Sequence, residues 1–101
     1  MTYKTIAPNV LADEFGHKVR ILGRTGILHS FAGRDIQIDS EILAAGFGFA
    51  IYGDWSRLIS PGSGGPDLQD EEVVSAIDEI VKALRDIGEI VEIATHYKRS
   101  Q

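Results

Sequence analysis

The residues that could carry chemistry in this chain are its three histidines, its fifteen carboxylates, its single tryptophan and the glycine-serine turn at 61–66. His17, His29 and His96 form no i,i+4 pair and no His-x-His, so no metal-ligand spacing is legible. The plain reading of each is a surface histidine or a hydrogen-bonded core histidine. A phosphate-binding loop needs Gly-Lys-Ser/Thr opening a helix. Here the residues after the turn are Asp67, Asp70, Glu71 and Glu72, which repel a phosphate. Gly46-Phe47-Gly48 lacks the third glycine of a dinucleotide fingerprint. Ser63 cannot sit in a Gly-x-Ser-x-Gly nucleophile elbow, because position 61 is proline. Asp39 and Glu41 share a strand face and Asp13-Glu14 are adjacent, but a glycosidase needs two carboxylates across an aromatic-lined cleft. Ion pairs with Arg20, Arg24 or Arg34 are the simpler role. There is no cysteine, which excludes disulfides, thiolate metal sites and thiol nucleophiles. The expectation is a protein that is not an enzyme, with no catalytic residue, no cofactor and no metal.

Trp55 stands in Asp54-Trp55-Ser56-Arg57, and two roles are open to it. It can seal the core edge, or it can anchor a partner, since Trp and Arg are enriched at binding hot spots. Charge bears on the second role. Net charge is −5, divided as +3 over 1–34, −3 over 35–60 and −5 over 61–101. A chain without a clustered basic stripe is a poor ligand for nucleic acid or anionic lipid. Its acidic part would attract a basic partner, although charge imbalance also serves simple solubility.

The elements that position these residues are read from periodicity. Over 70–87 the apolar residues Val73, Ile77, Ile80, Leu84 and Ile87 fall on one helical stripe, with Asp78, Glu79, Lys82 and Arg85 opposite. Asp78 and Lys82 are spaced for an i,i+4 pair. Asp67 or Gln69 can cap this helix, the acids at 70–72 suit its first turn, and Gly88 suits its C-terminal turn. Strands are predicted at 17–22, 26–31, 34–43, 47–52 and 89–95, while 9–15 could be a short helix or a turn. Gly48 and Ala50 share a face, which predicts something packed closely over it, the helix being the candidate. The 61–66 turn is expected to be a mobile surface loop and the first site of proteolytic nicking. Length allows one domain over 1–101. No apolar run approaches a membrane span and the N-terminus lacks a signal-peptide pattern, so a soluble, cytoplasmic protein with no membrane contact is expected.

The segment 34–93 resembles small bacterial immunity proteins of polymorphic toxin systems, including those of contact-dependent growth inhibition. The resemblance rests on Asp39-Ser40-Glu41, the strand Phe49-Ala50-Ile51-Tyr52, then Trp55 and Pro61, the acidic helix start at 70–72 with Ile77 and Ile80, and Gly88 before Ile90-Val91-Glu92-Ile93. The N-terminal third lies outside the pattern. The resemblance implies a protein that binds and neutralises one cognate toxin domain in the cytosol, with a nuclease-type toxin as the expected class. The contact residues expected on that reading are Asp54, Trp55, Arg57, Asp67, Asp70, Glu71 and Glu72. The rival is a small non-catalytic structural or regulatory module, homodimeric through the strand edge at 89–95. The expected fold is α+β, a mostly antiparallel sheet of about five or six strands with one long C-terminal helix packed on one face.

Overall fold

The computed structural model describes residues 2–43, 48–60 and 70–95, with only the backbone described at 57–60. Seven strands form one sheet: β1 (Lys4–Ala7), β2 (Val10–Ala12), β3 (Lys18–Ile21), β4 (Thr25–Phe31), β5 (Arg34–Ile42), β6 (Phe49–Ser60) and β7 (Val91–Thr95). Strand order in the sheet is strand order in the sequence. β1 to β6 pair antiparallel, whereas β7 lies parallel to β6. A parallel neighbour needs a crossover, and α1 (Asp70–Asp86) supplies it. The α+β class with one C-terminal helix on a mostly antiparallel sheet is as expected. The strand number is seven rather than five or six, because the stretch around Pro8 and Asn9 forms the short hairpin β1–β2.

The helical stripe lands as its spacing predicts. Val73, Ala76, Ile77, Ile80, Val81, Ala83 and Leu84 are buried, while Ile87 is exposed past the last turn. They meet Leu11, Val19, Ile27, Ile36, Ile38, Phe49 and Ile51 from one face of the sheet. Ile36 and Ile38 point to this core and Asp35, Gln37 and Asp39 away from it, as the period of two requires. The helix closes in a paired turn: Gly88 N donates to the Arg85 carbonyl and Glu89 N to the Leu84 carbonyl, with Gly88 at φ 89°. The capping candidates Asp67 and Gln69, and the 61–66 turn, lie outside the described residues.

Three local expectations are corrected. Phe49 and Ile51 face the helix, so Gly48 and Ala50 do not. Gly48 is instead approached by the Ile90 carbonyl on the way into β7. Lys82 reaches forward to Asp86 at 2.7 Å, an i,i+4 pair in the opposite order to the expected one with Asp78. Glu79 is half-buried and not on the solvent side, because the Tyr3 hydroxyl donates to it at 2.6 Å.

Candidate functional site

β6 continues eight residues past Tyr52 to Ser60, and it does so unevenly. Tyr52 lies opposite Asp39 and Ser56 opposite the adjacent Ile38, so Gly53, Asp54 and Trp55 have no counterpart on β5. An excess of this kind bends a strand and re-aims its side chains. Gly53 is buried, Asp54 exposed, and Trp55 is 42% exposed and outside the core cluster. Trp55 therefore does not seal the core. Asp54 accepts the Thr95 hydroxyl at 2.5 Å, which ties the excess to the end of β7. The Arg57 backbone pairs with Gln37.

The other expected contact residues sit at the start of α1. Asp70, Glu71 and Glu72 form its first turn, where the helix dipole favours acids. Glu72 pairs with Arg34 at 2.5 Å and so locks the helix start to the start of β5. Beneath this turn is a pocket of 320 Å³ with His29, Phe31, Arg34 and Ile36 among its lining and Glu71, Glu72 and Ser75 at its helical wall. Phe31 is 41% exposed. Asp67 lies outside the described residues. The bulge follows Tyr52, which pairs with Asp39, and the helix start is tied to Arg34. Those two residues are five apart on β5, about 17 Å at roughly 3.3 Å per residue. The expected residues thus form two separate groups.

The structure also joins residues that sequence reading kept apart. His17 Nδ1 and His29 Nε2 are 2.9 Å from each other. The His17 ring stacks on Phe31 with centroids 3.8 Å apart and planes 9° from parallel. Asp13 Oδ1 accepts the backbone N–H groups of Phe15 and His17, which shapes the β2–β3 connection. Tyr3 is buried; besides its hydroxyl bond to Glu79, its backbone N–H donates to Asp86. Burial raises the Tyr3 hydroxyl pKa, and the Glu79 carboxylate adds to the rise. Burial lowers His29 to about 4, and the neighbouring His17 acts in the same direction.

The His29 shift has a pH signature. Its folded pKa lies below the ordinary 6.5, so between these values the unfolded chain binds a proton that the folded chain does not. Its contribution is full above 6.5, declines as pH falls and levels off below about 4. Over that window the loss is up to about 3 kcal/mol. Asp13, Asp35 and Glu79 oppose the shift and keep it from being larger. Urea unfolding of the wild type and His29→Gln, in chelator, should show a steeper decline for the wild type from pH 7 to 5. Parallel profiles would mean that His29 protonates freely in the fold.

No helix among the described residues is long and apolar enough to cross a membrane. Comparison of the chain with protein-family models, curated proteins and solved structures returns no match.

Proposed function

We propose that this chain is a stoichiometric binder that neutralises a cognate toxin domain, in the manner of the immunity proteins its 34–93 segment resembles. The observation that carries the reading is the pocket under the α1 start, where an aromatic and aliphatic floor meets Glu71 and the Arg34–Glu72 pair. That combination suits a lysine or arginine, whose aliphatic stem packs on apolar surface while its head meets carboxylates. A basic cleft of the kind that holds nucleic-acid phosphates offers such side chains in number. Trp55, exposed beside Asp54, supports a second anchor on the same partner.

The test is binding to the toxin domain encoded by the adjacent gene, with growth protection scored in parallel. Reversing Asp70 and Glu71 to lysine should slow association by about tenfold at low salt and flatten its salt dependence. Glu72 is left intact, because its pair with Arg34 holds the helix start. Trp55→Ala should speed dissociation by about tenfold or more, with an unchanged urea midpoint. Absence of both binding and protection would sink the immunity reading. Binding indifferent to salt and to the reversals would sink the electrostatic docking. The dimer reading has its own observation: β7 ends the sheet order and Ile90 beside it is 68% exposed. Mass that rises with concentration in sedimentation, and falls on Ile90→Lys, would favour it.

A further inference from the structure

Asp13, His17 and Glu79 come from the end of β2, the start of β3 and the middle of α1, and their ligand atoms all lie within 4.8 Å of one another. All three residues are half-buried. Neither of the ion pairs Arg34–Glu72 and Lys82–Asp86 uses Asp13 or Glu79. Two carboxylates held together at partial burial repel each other, and a cation between them removes that repulsion.

The hydrogen bonds around the trio fit this role. Asp13 Oδ1 is held by two backbone N–H groups, Glu79 Oε1 by the Tyr3 hydroxyl, and His17 Nδ1 by His29. Each residue is thus oriented through one polar atom and keeps a second: Asp13 Oδ2, Glu79 Oε2 and His17 Nε2. Outer partners that hold a side chain in place in this way also orient metal ligands. His29, itself buried, is the partner of the histidine ligand, and the Phe31 stack fixes the same ring.

We infer that Asp13, His17 and Glu79 form a binding site for one divalent transition-metal ion of the zinc type. One imidazole with two carboxylates suits such an ion better than magnesium or calcium, which favour all-oxygen shells. The charge of two carboxylates is balanced by the dication, and water completes the shell. The ion would staple the β2–β3 connection to α1. The site is independent of the toxin-binding reading, since none of its ligands belongs to the expected contact residues.

The full chain, freed of metal by chelation, is titrated with Zn²⁺, with Mg²⁺ as comparison and Co²⁺ as a spectroscopic probe. Saturable one-to-one Zn²⁺ binding is expected, with a rise in Tm of about 5 °C or more at a hundredfold excess over Kd. Co²⁺ should develop visible absorption with the same stoichiometry. Asp13→Asn keeps an oxygen for the backbone N–H groups and Glu79→Gln keeps one for Tyr3, so both should fold. Without metal they should be at least as stable as the wild type, since they relieve the repulsion. Each should weaken Zn²⁺ binding by tenfold or more, and Tyr3→Phe by about tenfold through the Glu79 carboxylate. No saturable binding below about 1 mM would overturn the inference, as would binding that survives both Asp13→Asn and Glu79→Gln. The first outcome leaves the trio a hydrogen-bonded cluster without a metal; the second puts the metal elsewhere.

Discussion

Ile80→Asp should leave the protein largely unfolded at neutral pH. Ile80 is fully buried at the centre of the α1 stripe, in one core with Val19, Ile27, Ile38 and Ile51. The substitution removes the contacts of a large aliphatic side chain, about 2–5 kcal/mol for truncation alone. It also forces a carboxylate either to stay charged in an apolar site or to protonate at a further cost of several kcal/mol. A domain of this size has about 5–15 kcal/mol in total. Two neighbours set the scale. Asp78 is exposed, so Asp78→Ala should move stability by less than about 0.5 kcal/mol. Glu79→Ala should cost about 1 kcal/mol, because it strands the buried Tyr3 hydroxyl. Urea unfolding followed by circular dichroism reads all three. If Ile80→Asp and Asp78→Ala lose comparable stability, α1 does not present this face to the sheet.

Gly48→Ala should be the most damaging removal of a glycine among the described turns. A Cβ there would stand inside van der Waals contact of the Ile90 carbonyl oxygen and 2.9 Å from its carbon, at φ 112°. Backbone cannot swing aside as a side-chain tip can. The obstructed carbonyl is also the one that accepts the Phe49 N–H at 2.8 Å, next to the first rung between β6 and β7. The methyl group therefore separates the only parallel pair in the described sheet. The expected loss is about 3 kcal/mol or more, combining positive-φ strain with the lost pairing. Gly88→Ala is the control. It carries a similar φ of 89°, but nothing lies within 4 Å, so strain alone should cost about 1 kcal/mol. At about 4–8 °C per kcal/mol the two variants separate clearly in thermal unfolding. Equal losses would mean that β7 yields freely, and that the parallel pairing contributes little.

The parts legible in the sequence were those set by local periodicity. Val73 to Leu84 named their own face, and Gly88 marked the end of α1, because both signals lie within a few residues. β1 and β2 escaped notice because three or four residues hold too few alternations to read. The second half of β6 escaped because Gly53 and Asp54 look like the end of a strand, whereas they belong to an excess that the longer strand absorbs. Gly48 was rightly read as a place of close approach, but the approaching group is the Ile90 backbone that leads into β7, which pairs only after α1 has returned the chain. The histidine pair illustrates a different limit. His17 and His29 look unrelated until the register of one hairpin is known. Paired numbers in β3–β4 all sum to 48, so residue 17 falls opposite Phe31 and diagonal to His29. The break at Gly23-Arg24-Thr25, between the strands predicted at 17–22 and 26–31, was readable, and a register centred on it places the two rings together. Glu79 could not be added from sequence, since it reaches the cluster only by tertiary docking of α1.

A sheet whose order in space repeats its order in the chain also has an order in time. During synthesis each of β2 to β6 meets its neighbour within a short loop, so the antiparallel meander can form as it emerges. The lid comes later. From Ser60 to Asp86 the ribosome needs roughly 1–5 s at about 5–20 residues per second. Through that interval Leu11, Val19, Ile27 and Ile38 have no helix over them. The vulnerable species is thus a nascent, one-sided sheet rather than an unfolded chain, and slow translation across the turn and helix would lengthen its exposure to aggregation.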